Sequence, residues 1–373
     1  MLSFKRSTSP LQIGDIVLSN RIVFPPTVTN YAHEDGTVSD PLIEYYTKIA
    51  RSGIGLTIVG GTAISQDGIP FKYCTRIDGD EYLEGLSKLF KVIKQAGSMP
   101  AIQIVHAGRQ TSSKITGVQP VAPSAIPCPV WQELPRELDQ GEIERIEDQF
   151  AEAAFRSKCA DAKLVEIHAA HGYLINAFLS PYSNHRNDIY GGSLENRARF
   201  LINILAKTRE RVGEDFPLIC RISADEFIKG GLKLDDAKDI ALLIEKNGTD
   251  IIHVSGGVAE SRSRRDEFME QGQFLALGKG IKEAVKIPVI AVGKILTLNQ
   301  AEKILNNDVA DLVAICRAII ADPELISKTV GNRVEEIQEC IECGECGASL
   351  MKDDMRMRCS VNEEWGSHWE YPA

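Results

Sequence analysis

The chain of 373 residues carries 42 Lys and Arg against 52 Asp and Glu, a net charge of −10, and is 43% hydrophobic and 25% charged. This is the composition of a globular enzyme rather than a disordered or fibrous chain, and an acidic balance without clustered cations argues against nucleic-acid binding. No apolar run approaches the ~20 residues of a membrane-spanning helix, and the N-terminus MLSFKRSTSPLQIGDIVLSN lacks a secretory pattern, so a cytoplasmic protein acting on a small molecule is expected.

Eight short apolar runs alternate with longer segments, the pattern of repeated βα units around a parallel sheet. In chain order they are Ile22 to Phe24, Gly55 to Val59, Ala101 to Val105, Leu164 to Ile167, Leu218 to Ile222, Ile251 to Val254, Pro288 to Val292 and Asp311 to Ile315. Each is almost wholly apolar, as strands buried on both faces should be. Amphipathic stretches separate most of them; Glu142 to Cys159 places Ile143, Ile146, Phe150, Ala153 and Ala154 on one helical face.

After the third run comes a longer connection. Residues 111 to 140 hold Pro120, Pro123, Pro127, Pro129 and Pro135, which predicts a rigid surface excursion of functional or lid type rather than a helix. No glycine-rich turn follows Phe24, which disfavours a doubly wound sheet. The expected fold is an α/β (β/α)8 TIM barrel over residues 1–335, with a cysteine-containing tail over 336–373. A barrel of this kind spans roughly 250 to 400 residues.

Polar residues at the C-terminal ends of barrel strands read as active-site residues, because the βα loops there form the site. Those ends carry Gln103 and His106 to Arg109 after the third run, His168, His171 and Tyr173 after the fourth, and Arg221 in the fifth. His253 and Ser255 to Gly257 follow the sixth, Gly293 and Lys294 the seventh, and Arg317 the eighth. His168 and His171 are either hydrogen-bonded structural histidines or neutral N–H donors to a carbonyl oxygen, with the Tyr173 hydroxyl as general acid. Zinc lacks a third ligand at helical spacing. Gly293–Lys294 and the turn after Ile315 suit a phosphate, as loops after strands seven and eight often do. Arg221 inside a barrel mouth requires an anion or an electron-rich ring.

These residues carry a resemblance. The run EIHAAHGYLINAFLSPYSNHRNDIYGGSLENRARF at 166–200, with SNRIVFPP at 19–26, QIVHAGRQ at 103–110, VAPSAIP at 121–127, IHVSGG at 252–257 and DLVAICRAIIADPEL at 311–325, resembles the old yellow enzyme family of NAD(P)H:flavin oxidoreductases. The resemblance implies an FMN-binding ene-reductase that uses NAD(P)H to reduce the activated C=C bond of α,β-unsaturated carbonyl compounds. It places Gln103 on the flavin pyrimidine edge and Arg221 where negative charge develops on reduction. It assigns His168 and His171 to the substrate carbonyl and Tyr173 to proton delivery. Gly293, Lys294, Cys316 and Arg317 fall around the FMN phosphate, and Pro26, Thr27, Thr29 and Ala63 along the flavin. Three positions depart from the family: Val28 stands where a Cys, Thr or Gly is common, Cys316 replaces a glycine, and His185 stands where a lysine is common.

Cys340, Cys343, Cys346 and Cys359 have the spacing of a four-thiolate iron-sulfur site, with a structural zinc and unligated thiols as alternatives. The motif is similar to that of the trimethylamine dehydrogenase and 2,4-dienoyl-CoA reductase branch, and so implies a [4Fe-4S] cluster. Larger members of that branch carry a further nucleotide-binding domain, for which a chain ending at Ala373 has no room. Electrons are then expected from NAD(P)H directly or from a redox partner protein. Two other functions stay open at this point: an amine dehydrogenase or demethylase that passes electrons outward, and an electron-transfer subunit. The chain is also expected to be able to form a homo-oligomer. The pocket walls are expected in residues 111–140 and 258–273.

Overall fold

The computed structural model describes residues 4–264, 273–352 and 356–366, so part of the expected pocket wall, 265–272, and parts of the tail, 353–355 and 367–373, lie outside the described residues. All eight apolar runs are strands: β1 (Ile22–Phe24), β2 (Leu56–Ala63), β3 (Met99–Val105), β4 (Leu164–Ala169), β5 (Leu218–Ser223), β6 (Ile251–Ser255), β7 (Val289–Ala291) and β8 (Leu312–Ala314). They form a closed barrel in the order β6-β7-β8-β1-β2-β3-β4-β5, every pair parallel and β5 pairing β6 to close the ring. The (β/α)8 barrel expected from the alternation is therefore the fold.

Helices cover the outside: α1 (Asp40–Ala50), α2 (Leu83–Gln95), α3 (Gln140–Cys159), α4 (Leu194–Val212), α5 (Leu234–Lys246), α6 (Gln273–Ala284) and α7 (Leu298–Asn306). Several starts are encoded locally. The Ser39 hydroxyl accepts from the Leu42 amide at α1, and Thr297 with Gln300 forms a capping box at α7. Asp139 and Glu142 form another at α3, with Glu142 N donating to Asp139 Oδ1 at 2.8 Å and Asp139 N to Glu142 Oε2 at 3.1 Å. This reciprocal pair satisfies two otherwise orphaned amides, and it starts the helix two residues before the apolar periodicity does.

Inside the barrel the period-two alternation of strands sorts side chains into layers. Leu56, Ala101, Leu164, Ile219, Ile251, Ile290 and Leu312 fill the N-terminal end, fully buried. Ile13 and Leu18 join them from a hairpin of Leu11–Ile13 and Ile16–Leu18, which plugs that end. Two residues further along the strands the layer becomes polar: Gln103, Glu166, Arg221 and His253. One more step brings His168, Ser223 and Ser255 to the C-terminal mouth.

The segment 111–140 holds a one-turn helix, Ser113–Thr116, ended by Gly117 at φ +80, and a two-residue ladder of Val121–Ala122 with Arg136–Glu137. The segment beyond residue 335 packs onto the barrel. Met357 N donates to Thr29 O at 3.0 Å, and the Tyr31 hydroxyl donates to Met357 O at 2.6 Å. Trp365, 1% exposed, sits edge-on to Tyr45 at 5.0 Å and donates Nε1 to Ile320 O at 2.6 Å. No helix among the described residues is long and apolar enough to cross a membrane.

Candidate active site

A cavity of about 550 Å³ opens at the C-terminal mouth of the barrel, within the range of small-molecule and cofactor sites. Of the residues singled out in the sequence, Pro26, Thr27, His171, Tyr173, Arg221, Gly293, Lys294, Cys316, Arg317 and Cys346 line it. The ends of β1, β4, β5, β7 and β8 and the tail bring these positions together from residues 26 to 346 of the chain. Among the described residues the lining holds four cationic side chains, Arg221, Arg262, Lys294 and Arg317, and no carboxylate. In a chain of net charge −10, that local excess of positive charge fits an anionic ligand.

Arg221 is the most telling of the four. It is 8% exposed, and its Nε has no hydrogen-bond partner. Burial pulls its pKa below the usual arginine value, with Glu166 acting against that shift. A buried guanidinium with an unsatisfied donor at the cavity floor is a site awaiting an acceptor.

The imidazole pair and the tyrosine form one cluster. His168 and His171 meet edge-on with ring centroids 5.1 Å apart, and His168 lies 4.8 Å from the Tyr173 ring. His168 Nδ1 accepts from the Ala170 amide at 3.3 Å, so the proton of its neutral form sits on Nε2. His171 adopts a left-handed backbone, φ +62, stabilised by its own amide donating to Ser223 Oγ at 2.9 Å. Its Nε2 is 2.7 Å from Ser255 Oγ. Burial, reinforced for His168 by His171 and for both by Arg221, holds the two imidazoles well below the ordinary histidine value. Burial pushes the Tyr173 hydroxyl up to about 12. All three groups are therefore neutral at pH 7, and Tyr173 retains its proton.

On the opposite side, Gly293 has φ +139, and a Cβ there would lie 2.8 Å from Phe274 Cβ; only glycine fits that turn. Lys294, also left-handed at φ +48, pairs its Nζ with Glu342 Oε2 at 3.1 Å, so the tail partly neutralises it. Thr27 Oγ1 and Cys316 Sγ are 3.3 Å apart, and Arg317 begins the helical turn Arg317–Ala321.

Of the residues expected around the flavin and substrate, four lie off the cavity wall. Gln103, in the polar layer, and His168, in the mouth layer, do not line it and are buried at 3% and 4% exposure. Ala63 packs with Ile69 and Cys74, and Thr29 faces the tail through its carbonyl. Cys340 and Cys359 lie near enough to Cys346 to act on its thiol, but among the described residues no three His, Cys, Asp or Glu side chains are arranged to hold a metal ion. Cys346 turns to the cavity, where burial pushes its thiol up to about 11 with Cys316 next in effect. Cys343 is exposed, and a hydrogen bond with Ser360 Oγ at 3.2 Å lowers its pKa.

Sequence reasoning passed over the residue at the centre of the polar layer. Glu166 is completely buried, accepts from Gln103 Nε2 at 2.7 Å through one oxygen and meets His253 Nδ1 at 2.7 Å through the other. The signal was present: a carboxylate two residues before His168 in an otherwise apolar strand must face inward with it. Val130, Trp131 and Arg262 fall within the segments 111–140 and 258–273 where the pocket walls were expected, whereas Phe71, in another loop, had no such signal.

Comparison with known proteins agrees with this geometry. The family model described as NADH:flavin oxidoreductase / NADH oxidase matches residues 8–336. A protein of Thermoanaerobacter brockii named NADH oxidase is 44% identical over 377 residues, covering 100% of this chain and 58% of its own. One of Clostridium acetobutylicum named NADPH dehydrogenase is 38% identical over 316 residues, covering 84% of this chain and 91% of its own. Among solved structures, a 2-naphthoyl-CoA reductase in complex with 2-naphthoyl-CoA superposes with TM-score 0.92 at 31% identity, over 97% of this chain and 57% of that one. The chain thus spans little more than half of the first and last of these.

Proposed function

The chain belongs to the NADH:flavin oxidoreductase / NADH oxidase family, and from that premise we propose that it binds FMN at the barrel mouth and uses NAD(P)H to reduce activated C=C bonds of α,β-unsaturated carbonyl compounds. The observation that carries the reading is the pairing of a cavity whose described lining is cationic, without a carboxylate, with a neutral His168, His171 and Tyr173 cluster at its edge. The unpartnered Arg221 Nε supports the flavin fit, since a ring edge with carbonyl oxygens supplies the missing acceptor. Arg221 and Gln103 would hold the pyrimidine edge, and Gly293, Lys294 and Arg317 the phosphate. When bound, FMN supplies the hydride.

The remaining work falls to the chain. His168 Nε2–H and the His171 ring donate to the substrate carbonyl, drawing electron density from the C=C bond without adding a full charge to a buried site. Tyr173 delivers the proton to the α carbon, the role of a positioned general acid. Ser255 fixes the His171 ring plane. Phe71, Val130 and Trp131 cover the site with apolar surface, which strengthens each of these interactions by excluding water.

Anaerobic NADH or NADPH should bleach the yellow protein, and an enone should restore the colour; an enone that leaves it bleached removes this activity. Tyr173→Phe should slow reoxidation by ~10²- to 10⁴-fold while reduction by the nicotinamide continues. Equal loss of both half-reactions contradicts the role given to Tyr173.

A second reading is favoured by Cys346, which brings the tail motif to the same cavity. In it Cys340, Cys343, Cys346 and Cys359 hold a [4Fe-4S] cluster, and electrons leave an amine or another donor through it to a partner. The sequence spacing supports this, while the thiols as they stand do not form a ligand set, so no step is routed through a cluster. Iron and acid-labile sulfide in anaerobically purified protein decide it.

A further inference from the structure

We propose, given the FMN-binding reading above, that Glu166 is a positioning residue that aims the Gln103 amide at the flavin and offsets the charge of Arg221, so setting both FMN affinity and flavin potential. A carboxylate with no solvent exposure is retained only where its oxygens are satisfied and a counter-charge is near. Both conditions hold. Oε1 accepts from Gln103 Nε2 and Oε2 pairs with His253 Nδ1, each at 2.7 Å. Arg221 is the cation whose pKa Glu166 raises against burial.

The barrel register makes this arrangement rigid. Gln103 on β3 is the direct neighbour of Glu166 on β4, and Arg221 on β5 is the direct neighbour of both His168 and His253. Donating one Nε2–H to Glu166 fixes which way the Gln103 amide faces and leaves its carbonyl oxygen and one N–H for a ligand; with the carboxylate gone, the amide can flip and exchange those two positions. His253, whose Nε2 has no partner and whose pKa is lowered chiefly by burial, donates Nδ1–H as a neutral ring. The polar layer of Gln103, Glu166, Arg221 and His253 thus carries one carboxylate and one guanidinium. Removing the negative one leaves Arg221 uncompensated and favours the reduced, anionic flavin.

The test is Glu166→Gln in the FMN-loaded protein, read by the midpoint potential and by FMN titration of apoprotein. The expected potential rises by about tenfold in the reduced-to-oxidised ratio, about 30 mV for a two-electron couple, and FMN binding weakens about tenfold. Glu166→Asp, which keeps the charge and loses the reach, should weaken FMN with little change in potential. The affinity loss of E166Q should vanish in a Gln103→Leu background. An unchanged or lowered potential in E166Q, or an affinity loss equal in both backgrounds, overturns the proposal. Should E166Q fail to accumulate, Q103L carries the test, and undiminished FMN affinity there leaves the carboxylate nothing to aim. Wild-type protein that takes up no FMN refutes the flavin reading instead, which separates the two failures.

Discussion

Glu226 offers a prediction whose size follows from the structure. It lies just beyond β5, beside the cavity-lining Phe227, and is 1% exposed. Its Oε2 accepts from Ser180 Oγ at 2.7 Å and from the Leu232 amide at 2.9 Å. Burial outweighs these bonds and raises the carboxyl from 4.5 to about 7. Between those values the folded chain holds a proton that the unfolded chain has released, so this residue's contribution to stability is full below about 4.5 and is lost as pH rises through 7. At about 1.4 kcal/mol per pH unit, the interval amounts to about 3 kcal/mol. Glu226→Gln keeps the shape and removes the titration. Urea unfolding of both proteins from pH 5 to pH 8 should show the variant gaining most of that ~3 kcal/mol relative to wild type as pH increases. Parallel stability profiles would refute the assignment of a buried proton to Glu226.

Two other predictions concern the site and the tail. The rate of enone-driven reoxidation should stay level from about pH 6.5 to pH 9, because lowered histidine pKa values keep His168 and His171 neutral there and Tyr173 titrates only near 12; a step at 6.5 that disappears in His168 or His171 variants contradicts this. Trp365→Ala should destabilise the fold by about 3–5 kcal/mol and weaken FMN uptake, since Trp365 Nε1 holds the carbonyl of the cavity residue Ile320. Denaturant midpoints and FMN titration measure the two effects.

The eight strands were legible because a parallel barrel buries both faces of each strand, and a short apolar run is then almost the whole signal. The strand-end residues His171, Tyr173, Arg221 and Arg317 could be placed at one mouth from sequence because parallel strands all end on the same side. Tertiary structure alone decided which of them share a wall. Gln103 and His168 stand off the cavity wall although Arg221 and Ser255, in the same two layers, line it, since shear and strand length set what reaches the cavity and neither is written in the local pattern. Lys294 acquired Glu342 as its partner, and Tyr31, Tyr45 and Ile320 acquired the tail, through contacts between residues far apart in the chain. Glu166 shows the boundary between the two kinds of information: its inward direction follows from period two, but its two hydrogen bonds exist only because β3 and β6 bring Gln103 and His253 within reach of one carboxylate.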